Sequence, residues 1–185
     1  RLQDGRELPA DFVIAGVGIL PGQALAEAAG LELENGIKTD AHGRTSDPFI
    51  WSAGDCASFP YKGGRIRLES VGNAIDQAEV VAENIMGAGK DYIAKPWFWS
   101  DQYDLKLQLA GLSQGYDQVI IRGDRHNSRS FAAFYLKEGR LIATDCINRP
   151  QEFMLSKKIH YDALRLSLVD AIITSSECSG ITFCT

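Results

Sequence analysis

Two different periodicities run along the chain, and they meet at Gly87-Ala88-Gly89-Lys90-Asp91. Before that loop, Val71, Ala74, Ile75, Ala78, Val81, Ala82 and Ile85 recur at helical spacing, which predicts a helix from Ser70 to about Met86. After it, Leu105-Lys106-Leu107-Gln108-Leu109 alternates strictly, the pattern of a strand with one buried face. Gln118–Arg122, Ser130–Leu136 and Arg140–Ile147 read as further strands, the last two a hairpin about Glu138-Gly139, and Pro150 to about Leu168 returns to a helical period. Antiparallel strands followed by a helix make the second half an α+β unit, distinct from an α/β first half in which short strands and helices alternate.

In the first half, Asp4-Gly5 signals a hairpin turn and Asp11-Phe12-Val13-Ile14-Ala15 a short buried strand. The glycines of Gly16-Val17-Gly18-Ile19-Leu20-Pro21 permit close approach of backbone to a ligand, but Pro21 stands where the dinucleotide fingerprint needs its last glycine. A plain strand–turn–helix connection fits the stretch equally well. A helix is expected over Gly22–Ala29, stopped by Gly30. Leu31–Thr39 reads as a hairpin about Asn35-Gly36, and His42 falls in the polar loop that follows, where solvation is expected. Phe49, Ile50, Trp51 and Ala53 read as a buried strand that ends at Gly54-Asp55. Gly54 offers no Cβ to keep a ligand away, and Asp55 can accept hydrogen bonds from vicinal hydroxyls, although the same pair also serves as an ordinary turn. A strand over Arg65–Leu68 leads to Ser70, a capping residue for the long helix. The N-terminus of that helix favours an anion or a polarised carbonyl.

Several classes are disfavoured. A net charge of −5 argues against non-specific nucleic-acid binding, which needs a basic face. No apolar run approaches a membrane span, and the opening residues read as the interior of a hairpin and not as a signal peptide, so a cytoplasmic setting is the default expectation. Cys56, Cys146, Cys178 and Cys184 form no C-x-x-C pair, which supports neither a zinc site nor a dithiol; Cys56 and Cys146 are expected to be small buried hydrophobes. Trp97-Phe98-Trp99 and Tyr103 suit a core cluster. Arg122, Arg125, Arg129, Lys137, Arg140, Arg149, Lys157 and Lys158 make the second half locally basic, either a solvated face or a surface for an acidic protein. The stretch from Thr174 to Thr185 has no clear period and is expected to be a loose tail.

Four stretches taken together resemble a known family: Ala10–Gly18 with Pro21, Thr45–Pro48 with Ile50 and Ala53-Gly54-Asp55, Arg67-Leu68-Glu69-Ser70-Val71 with Asn73-Ala74, and Pro96-Trp97-Phe98-Trp99-Ser100-Asp101-Gln102. In that order they look like the FAD-dependent, NADH-using ferredoxin reductases that serve monooxygenases and ring-hydroxylating dioxygenases. The last stretch is the most specific; the glycine-rich ones are shared across the pyridine-nucleotide oxidoreductases. The resemblance implies part of a glutathione reductase-like FAD/NAD(P)-binding fold followed by an α+β C-terminal reductase domain. It divides the chain into the end of an NAD-binding domain (1–19), the closing segment of an FAD-binding domain (20–92), the reductase domain (93–173) and a tail (174–185).

It further implies FAD and NAD as cofactors and a small acidic [2Fe–2S] ferredoxin as partner, with neither nucleic acid nor membrane. Asp55, following Gly54, would hold the ribityl hydroxyls of FAD, and the Val71 N–H would face the flavin pyrimidine edge. Glu69 would lie near the nicotinamide and Trp99 beside the isoalloxazine ring. Gly16 and Gly18 would turn near the nicotinamide side of the NAD domain. No side chain is expected to do acid–base work and no metal site is expected. The family's two G-x-G-x-x-G loops are absent from these residues, so the resemblance implies the carboxyl-terminal part of a longer enzyme, with weak FAD retention by the chain alone. The closing residues also depart from the family's usual ending. Related alternatives are a rubredoxin or monodehydroascorbate reductase-like flavoenzyme, and a protein-docking fragment without redox activity.

Overall fold

The structure, a computed structural model, describes residues 1–162, with side chains through Ile159. The tail and the end of the expected last helix lie outside the described residues. Helix α1 spans Ala24–Ala28, and Gly30 at φ +70° ends it while Leu31 N–H bonds Ala26 O at 2.9 Å. Strand β1 (Ile37–Lys38) runs parallel to β2 (Ala57–Tyr61), which pairs antiparallel with β3 (Gly64–Ile66). A one-turn 3-10 helix, Gly54–Cys56, feeds directly into β2. Helix α2 covers Val71–Ile85, as its periodicity predicts, with Ser70 Oγ accepting from Asn73 N–H at 3.2 Å.

The second half folds into a five-stranded antiparallel sheet from β4 (Trp97–Gln102), β5 (Leu105–Gly111), β6 (Gln118–Gly123), β7 (Phe131–Lys137) and β8 (Arg140–Ile147), in spatial order β4-β5-β8-β7-β6. Helix α3 (Pro150–Asp162) packs on one face. Ala110, Ile120, Phe134, Leu136 and Cys146 meet Phe153 and Ile159 of α3 there. Burying each of the two phenylalanines contributes roughly 1.5–3 kcal/mol. Burial pushes the Cys146 thiol up to about 12, with the Glu152 charge adding to it, so this cysteine is the inert apolar residue its isolation predicts. The β5–β8 seam is closed at one end by Asn148, whose N–H bonds Lys106 O at 2.9 Å and whose amide accepts from Lys106 N–H at 2.8 Å and donates to Asp104 O at 3.2 Å.

Among the expectations that fail are three strand or hairpin assignments in the first half, each for a stated reason, and the core cluster of Trp97-Phe98-Trp99 with Tyr103, since Phe98 and Tyr103 are exposed. Asp11–Ala15 is not a buried strand: Phe12, Val13 and Ile14 are 78%, 84% and 87% exposed, because no described segment offers this stretch a ladder partner. Phe49–Ala53 is not a strand either. Asp47 Oδ1 accepts from Phe49 N–H at 2.8 Å and Asp47 O from Ile50 N–H at 3.1 Å, a local turn that outcompetes a ladder, leaving only the Arg44–Trp51 bridge. In the Asn35-Gly36 hairpin only one bridge forms, Leu33 with Ile37, since β1 is drawn to β2 instead.

Helix α2 has the predicted limits but buries another face. Val71, Ile75 and Ile85 are exposed, and Gly72, Asn73, Gln77, Val81 and Asn84 turn inward. The buried amides hold loops. Asn84 donates to His42 O at 3.0 Å and Lys90 O at 2.8 Å and accepts from Lys90 N–H at 2.7 Å. Among the described residues no helix is long and apolar enough to cross a membrane.

On the sheet face away from α3, Tyr135 O–H donates to Asp145 Oδ2 at 2.7 Å. Burial raises the Asp145 pKa above a carboxyl's ordinary 3.8, with the tyrosine bond opposing it. A raised carboxyl favours the fold fully below its unfolded pKa, and that contribution is lost as pH rises through the folded value. Asp145→Asn keeps an acceptor for Tyr135 and carries no charge. It is expected to raise the urea midpoint at neutral pH and to lose that advantage near pH 4. An equal offset at both pH values would contradict a charge origin.

Candidate functional site

The N-terminus of α2 is where the predicted site residues gather. Asn73 N–H is taken by Ser70 Oγ and Ala74 N–H by Ser70 O, at 3.2 and 2.9 Å, while the N–H groups of Val71 and Gly72 have no acceptor among the described residues. Two unpaired donors and the positive end of the helix dipole therefore meet at one point, with Val71 exposed and Gly72 buried. Asn73 fixes the approach, donating to Leu68 O at 3.1 Å and accepting from Tyr92 O–H at 2.9 Å.

The Gly54–Cys56 turn is pinned against the same helix. Gly54 N–H donates to Gln77 Oε1 at 2.9 Å, and Gly54 takes φ +80°, with space for a Cβ only at 3.4 Å from that of Ala74. Asp55 next to it keeps its side chain exposed. Its carbonyl accepts from Arg67 Nη1 at 3.0 Å. Arg67 also donates to Asn35 O at 3.1 Å and pairs with Glu69, and its side chain is 8% exposed. One buried guanidinium thus ties together the Asn35-Gly36 turn, the Asp55 backbone and the Glu69 carboxylate.

Strand β4 brings the tryptophans. The Trp97 indole lies against Gly72 so closely that a Cβ there would meet its Nε1 at 2.7 Å. Trp99 stacks on Trp97 at 5.2 Å between centroids and 20° between planes. Lys157 Nζ sits 3.9 Å from the Trp97 centroid, a cation–π contact. Burial lowers the Lys157 pKa, and the nearby Asp76 charge opposes that. A cleft of about 180 Å³ opens beside this group, with Glu69, Ser70, Trp97 and Phe98 among its lining.

Gly54, Asp55, Glu69, Val71 and Trp99 are therefore brought together around one helix end. Gly16 and Gly18 are not: both lie in the exposed, irregular opening segment, with nothing within 4 Å of a Cβ built on either. Arg67, Gln77 and Gly72 organise the group and carry no sequence signal of that role beyond lying near it. Of the basic residues in the second half, Arg122 and Arg149 turn toward the buried Glu152, at 3.6 and 3.2 Å, and Arg129 pairs with Asp104. Among the described residues no cluster of His, Cys, Asp and Glu could hold a metal ion.

The family described as pyridine nucleotide-disulphide oxidoreductase matches residues 1–78, and the family described as reductase C-terminal matches residues 97–172. The chain is similar to putidaredoxin reductase CamA of Pseudomonas putida, 48% identical over 88% of this chain and 39% of that protein. It is similar to rhodocoxin reductase of Rhodococcus erythropolis, 42% identical over 84% of this chain and 36% of that protein. Among solved structures it superposes on a ferredoxin reductase of Rhodopseudomonas palustris with a TM-score of 0.80 and 47% identity, covering 86% of this chain and 40% of that one. It also superposes on putidaredoxin reductase in its covalent complex with putidaredoxin, with a TM-score of 0.79 and 42% identity, covering 96% of this chain and 45% of that one. The chain spans about two-fifths of the length of these curated relatives. Its fold is part of the FAD/NAD(P)-binding fold followed by the α+β reductase domain. Matched by both families in that order, the chain belongs to the ferredoxin reductase branch of the pyridine nucleotide-disulphide oxidoreductases.

Proposed function

We propose that this chain supplies one side of the flavin site in an enzyme that passes electrons from NADH through FAD to a [2Fe–2S] ferredoxin serving an oxygenase. The observation that carries the reading is the convergence of Asp55 with the unpaired N–H groups of Val71 and Gly72 at the α2 N-terminus. The residues fit the group. Gly54 packs the turn closely on Ala74 of α2, the exposed carboxylate of Asp55 beside it can accept hydrogen bonds from ribityl hydroxyls, and the free Val71 N–H suits a pyrimidine carbonyl. When bound, FAD would supply the two-electron to one-electron conversion between nicotinamide and iron–sulfur partner.

The chain's own part is orientation and charge. Asp55 holds the ribityl chain. The Val71 N–H and the helix dipole would favour a pyrimidine carbonyl there. Glu69 lies on the nicotinamide side, with its carboxylate fixed by Arg67. Trp99, stacked on Trp97, borders the isoalloxazine ring. Gly16 and Gly18 belong to the nicotinamide-side turn of residues 1–19, with residues 20–92 in the FAD domain and 93–173 in the reductase domain. Putidaredoxin appears in the covalent complex of the similar reductase, which supports a ferredoxin as partner. Arg125, Lys137, Arg140 and Lys158 are the basic residues proposed to meet it, and the proposed setting is cytoplasmic.

The reading frame that encodes the chain is expected to carry two G-x-G-x-x-G loops ahead of Arg1, and their absence would sink the enzyme reading. In a protein carrying those loops, Asp55→Ala is expected to weaken FAD binding by ~1–3 kcal/mol. The measurement is flavin absorbance retained per chain after gel filtration. Undiminished occupancy removes Asp55 from the site.

A further inference from the structure

A second cleft, of about 350 Å³, lies between the β2–β3 hairpin and the start of the five-stranded sheet. Tyr92 and Ala94, both buried, and Ile142 give it an apolar, partly aromatic lining. Lys62 and Lys95, both exposed, stand among its lining residues from opposite segments. Lys62 lies in the β2–β3 turn at φ +46°, with its ammonium 5.2 Å from the Tyr61 ring centroid, so its stem follows the aromatic wall. The volume is that of a small-ligand pocket, and its place at a junction between folded units is where such pockets concentrate. An apolar, aromatic interior flanked by two cations suits one chemistry: a flat apolar body bearing a single negative charge.

We propose that this cleft binds a small aromatic carboxylate, with its ring against Tyr61 and Tyr92 and its carboxylate between Lys62 and Lys95. The site is separate from the flavin group. Pro96 and Gly111 line both this cleft and the smaller one beside Glu69, and the Gly111 N–H bonds Pro96 O at 2.9 Å to form the partition. A ligand here presses on the first residue before β4, the strand that carries Trp97 and Trp99. Occupancy is therefore coupled to the position of the tryptophan pair. Binding itself does not depend on Asp55 or Val71 holding a flavin.

The test is titration of the full chain with 2-naphthoate and with its neutral isostere 2-naphthylmethanol, followed by amide chemical shifts. Saturable one-to-one binding of the acid is expected, with the largest shifts at Ala94, Lys95 and Gly111 and smaller ones along β4. The alcohol is expected to bind about fivefold more weakly or worse. The surface variant Lys62→Glu/Lys95→Glu should erase that preference, the acid then binding no more tightly than the alcohol. Ile142→Trp, which fills the cleft, should abolish both. Shifts that fail to saturate, shifts centred on the exposed α2 stripe, or equal binding of acid and alcohol would each overturn the proposal. Both lysines are exposed, so the test stands even where Ile142→Trp fails to fold.

Discussion

Replacing Gly36 with alanine is expected to cost about 2–4 kcal/mol of stability, from combined backbone strain and overpacking. Gly36 sits at φ +120°, outside the range L residues ordinarily adopt, and a Cβ on it would lie 2.6 Å from the Cys56 carbonyl oxygen and 2.9 Å from Arg67 Cδ. The first of these is backbone and cannot rotate away. Relief requires β1 to separate from β2 or the Gly54–Cys56 turn to shift, and either movement displaces Asp55. Gly30→Ala is the control. Gly30 also has a positive φ, +70°, but nothing lies within 4 Å of its would-be Cβ, so only ~1 kcal/mol of conformational cost is expected. Urea unfolding of both variants measures the difference. Equal losses would show that the Cys56 carbonyl yields and that this contact does not hold the turn.

Gly72→Ala is expected to destabilise by ~2–3 kcal/mol, against the helix propensity that favours alanine by about 1 kcal/mol. The new methyl would meet three atoms of the Trp97 indole between 2.7 and 3.0 Å. That ring has little freedom, being stacked on Trp99, covered by Lys157 and packed against Phe153 at 6.3 Å. The contact is also where α2 meets the five-stranded sheet, so relief means moving one relative to the other. Trp97→Phe in the same background should recover much of the loss, because the smaller ring removes the clashing edge. No recovery would place the strain elsewhere. The readouts are the urea midpoint and the near-ultraviolet circular dichroism of the tryptophan pair.

What could be read from the sequence follows the range of the forces involved. Helix α2 and its Ser70 cap are legible because capping and periodicity are local. So are the β7–β8 hairpin about Glu138-Gly139, both at positive φ, and β5 as a strand, although its buried residue is Ala110 and its leucines are only half-buried. Gly54-Asp55 is legible as a candidate for the same reason, while Val71 is named only through the family resemblance. The buried face of α2 is not legible. Periodicity finds an apolar stripe, but Gln77 and Asn84 turn inward because each satisfies backbone groups from loops distant in sequence, and Asn73 because it accepts from the Tyr92 hydroxyl. Arg67 escapes notice likewise, since its partners Asn35 and Asp55 meet it only after β1, β2 and β3 assemble. Short apolar runs such as Asp11–Ala15 mislead most, because a strand is a property of two segments and only one is visible in a run.

The strand order β4-β5-β8-β7-β6 also dictates an order of events. Two hairpin-connected groups, β4–β5 and β6–β7–β8, can each zip from a nearby turn with little loop entropy to overcome. Joining them is different. The β5–β8 seam closes the whole intervening segment at once, so on a growing chain the edge of β5 stays open until β8 has been made. Asn148 is the residue just past β8, and it bonds back to Asp104 and Lys106 at the β5 end of the seam. Its contacts form after the slow step, so they govern how long the assembled sheet lasts and have little influence on how fast it forms.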